Sequence, residues 1–435
     1  MRRSRFATLV AIGTVVVMLA AACGSGDKKS SDTTTTTKSG GNSGKAPTAV
    51  PGFDGTTITL GVITPQSGSI GAIAGKFIGT PLTDGNQTYW DMKNAAGGVA
   101  GKYKVKLDVQ DSKYEPAAAT QAYASMKGNV LAFQQILGTE ITKAIQPQLA
   151  SDKLVASPAT LDAEWALDAN LLPFTTTYQL LAINGIDYYI NNGGQGKNIC
   201  TLSQDDSYGA AGVQGAQFAA KQLKFTLKSQ QTVKALGDKT AAVQALKDAK
   251  CDAVLVTLLF ADIPSLIATS NQLGFKAKFL MEGPAWDESE LTDPANKAFL
   301  EENGLVLGAG PQWGDTSNEG MAQLQAQLKK YRPEQGGNLY FQFGYAQAWA
   351  MDQLLEIAAK NGDFSKQGLL TAMDQINTLK FDGLLPNYTY GTTVDDRVPP
   401  PYATIFAIDA AQDGGLKALE VDYTSSAAKA YKFTG

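Results

Sequence analysis

Apolar positions recur along this chain in two alternating rhythms. Short β-branched and aliphatic runs are separated by longer stretches in which apolar residues return every three or four positions. The run TITLGVIT at 57–64 has the composition of a parallel strand covered on both faces. A Gly-rich loop at 66–75 and a helix to about residue 96 follow, and Gly97-Gly98 ends that helix. YKVKLDV at 103–109 reads as a second strand, and Pro116 opens a helix through Met126. A strand at 130–137, a helix at 142–150 and a strand at 154–157 complete a βαβ series, which implies a parallel sheet with right-handed crossovers. The pattern then restarts. A helix at 178–191 leads to a strand at 198–203; a helix, a strand and a helix follow, reaching a strand at 253–259, then a helix at 264–273 and strands at 278–281 and 305–309. Helices return at 321–330, 340–359 and 366–376, and a β-rich tail runs from Phe381. The expected architecture is α/β, with two doubly wound parallel-sheet lobes in tandem. The late helices fit only if the chain crosses back to the first lobe.

The N-terminus breaks this rhythm. Arg2, Arg3 and Arg5 precede an apolar run at 6–19, and Ala20-Ala21-Ala22-Cys23 follows. That order is a secretory signal, too short and wrongly flanked for a spanning helix. Small residues leading into a cysteine resemble a bacterial lipoprotein cleavage site, with Leu19 one position early and Ala20 in the usual leucine's place. The resemblance implies a signal peptide over 1–22, lipidation of Cys23 and an extracytoplasmic protein anchored to the membrane. The alternative is ordinary secretion with Cys23 near the cut. Residues 24–50 are Gly, Ser, Thr, Lys and Asp with almost nothing apolar, so 23–56 is expected to be a disordered linker behind the lipid.

Composition narrows the chemistry. The remaining residues, about 380 of the 435, exceed one ordinary core and suit two lobes. Removing Arg2, Arg3 and Arg5 leaves 34 basic against 41 acidic residues, a net charge of −7. That balance argues against nucleic acid. There is no histidine, which excludes Ser-His-Asp and Cys-His catalysis and any histidine metal site. No metal and no cofactor are expected. Cys200 and Cys251 lie at strands expected to be neighbours, and could pair in an oxidising exterior or remain buried thiols. GAIAGK at 71–76 is one residue short of a phosphate loop, and GGVAGK at 97–102 precedes a strand instead of following one.

In open α/β sheets, ligands sit beyond the carboxyl ends of strands, where helix N-termini present free N–H groups. The first lobe offers Ser67 and Ser69 after strand one, Asp111 to Tyr114 after strand two, Thr139, Glu140 and Thr142 after strand three, and Ser157, Ala159 and Thr160 after strand four. The second offers Asp205, Asp206 and Tyr208, then Phe260, then Glu282 and Trp286. Hydroxyls with helix N-termini suit a carboxylate; aromatics with carboxylates suit an apolar body and an amine. Each loop taken alone is better explained by helix capping; the convergence of the set on one cleft is what points to a ligand.

GVITPQSG, NAAGGVAGK, KLDVQDSKYEPAAA, ILGTE, SPAT and DDSYG follow one another in order. This series resembles the extracellular solute-binding proteins of ABC transporters, of the leucine/isoleucine/valine-binding type, from residue 57 to the end. The resemblance implies Rossmann-like lobes joined by a three-crossover hinge, over 57–177 plus 316–379 and 178–315 plus 380–435. It also implies a monomeric, non-enzymatic receptor that binds by cleft closure and whose partners are a small solute (a branched-chain or related amino acid, or an amide) and ABC permease subunits. Thr142, Ala159 and Thr160 match the family's carboxylate contacts, and Tyr208 matches an aromatic that covers the ligand. Gly283-Pro284-Ala285 fits the motif around the acid that binds the ligand ammonium, so Ala285 stands in the acid's place and Glu282 lies nearby on the other strand parity. A sensor for a membrane signalling partner would use the same cleft. An enzyme using Glu140, Asp206 or Glu282 lacks any spaced carboxylate pair.

Overall fold

The computed structural model describes residues 47–194 and 196–433. The signal segment and Cys23 lie outside the described residues. Strand β1 (Thr57–Thr64) leads through helix α1 (Ser69–Ala74) and a π-helical turn, Gly75–Gly79, into α2 (Thr80–Ala95). β2 (Lys104–Asp111), α3 (Pro116–Met126), β3 (Ala132–Leu137), α4 (Thr139–Asp152) and β4 (Ala156–Ala159) follow. These strands form a parallel sheet in the order β2-β1-β3-β4. All six residues of the inner strand β3 are buried, whereas edge strand β2 exposes Lys104 and Lys106.

The second lobe begins with α5 (Tyr178–Asn191). It continues through β5 (Ile199–Gln204), α6 (Ser207–Gln222), β6 (Gln230–Val233), α7 (Thr240–Asp248) and β7 (Ala253–Thr257). α8 (Ile263–Leu273), β8 (Lys278–Glu282), α9 (Pro294–Asn303) and β9 (Gly304–Gly308) complete the alternation. α10 (Glu319–Tyr331), α11 (Leu339–Asn361) and α12 (Lys366–Asp374) then rejoin the first lobe with a small hairpin, β10 (Thr378–Leu379) and β11 (Tyr388–Thr389). β12 (Ala403–Ile408) and β13 (Leu416–Tyr423) return to the second sheet, and α13 (Ser426–Ala430) ends the fold. That sheet runs β13-β12-β9-β8-β7-β5-β6, parallel from β9 to β6, with β12 and β13 antiparallel. From Ala403 onward the β-rich tail is therefore an extension of the second sheet, whereas its first residues stay with the first lobe.

Core membership locates three crossings between lobes. Phe174 packs in the first core and Tyr178 in the second lobe; Leu307 lies in the second and Met321 in the first; Tyr390 lies in the first and Ala403 in the second. Thr175 Oγ1 shares a hydrogen bond with the Tyr402 hydroxyl (2.8 Å), and Thr176 Oγ1 donates to the Tyr402 carbonyl (2.7 Å), tying the first crossing to the third. Thr404 Oγ1 donates to Gly310 O (2.7 Å) and ties in the second. The last crossing falls later than the expected 379/380 boundary, because Phe381, Leu384, Leu385, Tyr388 and Tyr390 are buried in the first core. The folded body also starts before residue 57. Val50 and Phe53 exchange backbone hydrogen bonds, and the Phe53 ring packs against Tyr103 and Phe364 at 5.1 and 4.8 Å. α4 starts at Thr139, earlier than the expected 142, because Gly138 at φ 110° turns the chain directly from β3 into the helix. Cys200 and Cys251 form a disulfide with Cα atoms 5.9 Å apart. Cys200 lies on β5 and Cys251 leads into β7, its neighbour in the sheet.

Candidate functional site

A cavity of about 890 Å³, its open mouth included, lies between the carboxyl ends of the two sheets. The first lobe contributes Ile78 and Leu82 from the turn and α2, Tyr114 after β2, Leu137 to Thr139 at the β3–α4 junction, and Ala159 and Thr160 after β4. The second contributes Tyr178 and Leu181 from α5, Tyr208 from α6, Leu259, Gly283-Pro284 and Leu307. The hinge side is closed by Tyr340, Gln342, Phe343 and Leu385. No Asp, Glu, Lys or Arg lines this cavity among the described residues.

Its polar groups are few and clustered. The Thr139 and Thr160 hydroxyls lie 2.6 Å apart, and Thr160 reaches the Tyr178 hydroxyl at 3.4 Å. Thr139 is the first residue of α4, whose Gly138 N-cap supplies no side-chain acceptor. That helix N-terminus, flanked by two hydroxyls, has the polarity to receive an anionic group. Tyr178 and Tyr208 stack their rings obliquely, centroids 4.7 Å apart. Burial pushes the Tyr178, Tyr208 and Tyr340 phenols upward, so they remain neutral donors. The Tyr340 hydroxyl is already engaged across the cleft, shared between the carbonyls of Gly283 (2.9 Å) and Trp286 (2.8 Å).

Of the expected ligand contacts, Thr139, Ala159, Thr160 and Tyr208 line the cavity. The others have different places. The exposed Ser67 hydroxyl is bonded to Asp111, which also accepts from Gln66 N (2.8 Å), and Ser69 is exposed at the start of α1. Thr142 sits one turn into α4, and its hydroxyl donates to Gly138 O (2.9 Å). Ser157 lies in a buried network, donating to Leu172 O and accepting from Gln347 Nε2, both at 3.2 Å. Phe260 packs on Phe77 (5.2 Å) in an apolar cluster that bridges the lobes, with Ile78, Leu82 and Leu137 on one side and Leu259 on the other. Trp286 belongs to the second lobe's core. Glu140 reaches across the cleft to the backbone N–H of Ser207 (2.7 Å). The lining residues that sequence reasoning passed over are chiefly Tyr114, Tyr178, Tyr340, Gln342 and the leucines. Only Tyr114 carried a signal, as the last residue of a strand-end loop.

Glu282 is fully buried and both its carboxylate oxygens lack a hydrogen-bond partner among the described residues. It does not line the cavity. A Cβ at Gly212 of α6 would come within 2.2 Å of Thr257 Cγ2 and 3.3 Å of Glu282 Oε1, so the acid is pressed under that helix. Burial first, then the Asp162 charge, push its carboxyl well above the ordinary value of 4.5. The native state therefore keeps a proton that the unfolded chain releases above that value. Stability contributed at this site is full at low pH and declines as pH rises through the unfolded value, until the native carboxyl also ionises. Glu282→Gln removes the linkage. In urea melts at stepped pH, the wild type is expected to lose stability relative to the variant as pH rises above the unfolded value, by at most about 1.4 kcal/mol per pH unit. Parallel pH profiles would contradict a buried neutral acid.

An inter-lobe cavity, reached from strand ends and closed by a hinge of three crossings, defines a two-lobed receptor for a small ligand. The family model for periplasmic binding proteins matches residues 57–413. The chain belongs to that family: it is a substrate-binding protein of the ABC-transporter type fold, extracytoplasmic by membership and not an enzyme. It is similar to the fatty acid ABC transporter substrate-binding protein from Thermomonospora curvata, at 26% identity and a TM-score of 0.79, over 90% of this chain and 97% of that one. A branched chain amino acid ABC transporter protein from Thermus thermophilus, with bound valine, aligns at 16% identity and a TM-score of 0.71, over 86% of this chain and 98% of that one. No curated protein sequence matches significantly. No helix among the described residues is long and apolar enough to cross a membrane.

Proposed function

We propose that this protein is a lipid-anchored receptor that delivers an apolar carboxylic acid to an ABC importer. The single observation that carries the ligand class is the wall: leucines, alanines and tyrosines, with no carboxylate side chain in the lining among the described residues. An α-amino acid would bring its ammonium into this space without a counter-charge, which costs several kcal/mol. A carboxylate faces the opposite situation, with Thr139, Thr160 and the start of α4 to receive it. The similarity to the Thermomonospora curvata fatty acid protein points the same way. The leucine-binding alternative would need Glu282 to serve the amine, and Glu282 faces α6 instead. Lipidation of Cys23 would hold the receptor at the membrane beside its permease.

A homologous series tests the reading. Each buried methylene is worth about 0.8 kcal/mol, so affinity should climb about fourfold per added carbon from butanoate upward until the cavity is filled, then fall. Calorimetry with butanoate, octanoate, decanoate and leucine reads this directly. Tight binding of leucine with no response to the acids would reject the assignment.

A further inference from the structure

Glu140 stands in the first turn of α4, beside the cavity-lining Thr139, but is itself exposed and outside the lining. Its Oε1 accepts the backbone N–H of Ser207 at 2.7 Å. Ser207 is the first residue of α6, on the other lobe, and the next residue, Tyr208, lines the cavity. The N-cap of α6 is Asp206, whose carboxylate accepts from Gly209 N (2.9 Å). One N-cap side chain leaves further N–H groups of the first turn without an intrahelical partner. Glu140 takes one of them from across the cleft, with its negative charge at the positive end of the α6 dipole. This bond forms only when the lobes are together.

We propose that Glu140 is the closure latch of this receptor: a positioning residue that caps α6 from the opposite lobe and thereby sets how long a ligand is held. The ligand gains nothing from Glu140 directly. Its affinity depends on the closed population, which the latch raises. The proposal rests on the cleft-closure reading above but not on the ligand's identity. Tyr340 supplies a second cross-lobe bond, to Gly283 O and Trp286 O, yet it lines the cavity and so mixes latching with ligand contact. Glu140 separates the two.

Ser207→Pro removes the donor alone. Proline is accepted at the first helical position, and Asp206 before it is already extended, at φ −159° and ψ −178°. Glu140→Ala removes the acceptor, and Glu140→Gln keeps an oxygen while removing the charge. Spin labels at Glu115→Cys and Lys234→Cys, both exposed and on opposite lobes, report lobe separation without ligand in a Cys23→Ser background; Cys200 and Cys251 are paired with each other. Ala and Pro variants are expected to shift the ligand-free distances toward the open form, with Gln intermediate. Decanoate release should quicken about two- to fivefold with the association rate little changed. A merely structural role would alter melting temperature without this split. Unchanged distances in folded Glu140→Ala and Glu140→Gln overturn the latch, whether or not decanoate binds; failure of decanoate alone overturns only the ligand class.

Discussion

Ala159→Trp is expected to abolish ligand binding while the protein stays folded. Ala159 ends β4, is only half-buried, and lines the cavity beside Thr160. Ala159 borders the cavity, so an indole can extend into that space without displacing packed core. The ring then covers the same apolar wall that a ligand's chain would cover, an area of roughly 150–250 Å². Affinity for decanoate should fall by about a hundredfold or more, equivalent to about 2.7 kcal/mol. The melting temperature should move by a few degrees at most, in either direction. Calorimetry for binding and scanning fluorimetry for the fold separate the two. A folded Ala159→Trp protein that binds decanoate like the wild type would place the ligand elsewhere.

The largest loss of stability is expected from Gly344→Ala. Glycine to alanine within a helix ordinarily stabilises by about 1 kcal/mol. Here α11 lies against α2 backbone to backbone. A Cβ on Gly344 would come within 1.9 Å of the Leu82 carbonyl oxygen, and one on Gly85 within 2.1 Å of the Phe341 carbonyl oxygen. Neither neighbour is a side chain that can rotate away, so the helices must separate. The expected cost is about 2–3 kcal/mol, of the size seen for overpacked cores. Leu82 and Phe343 both line the cavity, so decanoate affinity should fall as well. Urea unfolding of Gly344→Ala beside Gly128→Ala, whose new Cβ would meet nothing within 4 Å, reads the packing term. Equal stability of Gly344→Ala and the wild type would contradict the close approach.

Closure and ligand class are linked by one feature of the cleft. Its cross-lobe contacts, Phe77 on Phe260, Tyr340 on two carbonyls and Glu140 on Ser207, surround a space whose lining holds no Asp, Glu, Lys or Arg among the described residues. Charge is used at the rim and excluded from the interior. An apolar ligand therefore sees a low-dielectric enclosure in which one anionic head is served by hydroxyls and a helix start.

Much of the scaffold was legible because a strand or helix is specified by its neighbours in sequence. The alternation of short β-branched runs with helical periodicity placed β1 to β4 and β5 to β9 in order, and the strand-end loops named Thr139, Ala159, Thr160 and Tyr208. The missing histidine limited the chemistry without any structure. What stayed hidden was direction and company. A hydroxyl after a strand faces the cleft or its own helix depending on a turn of one residue, which is why Thr139 lines the cavity and Thr142 bonds Gly138. Tyr178 and Tyr340 start helices on either side of a crossing, more than 150 residues apart, and only the hinge brings them to one wall. Glu282 reads as a cleft acid in sequence, but its place on β8 turns it toward α6. Local pattern thus determined the elements, their order and the kind of fold. The three crossings decided which side chains meet, because a cleft between lobes is built from segments that have no neighbour relation along the chain.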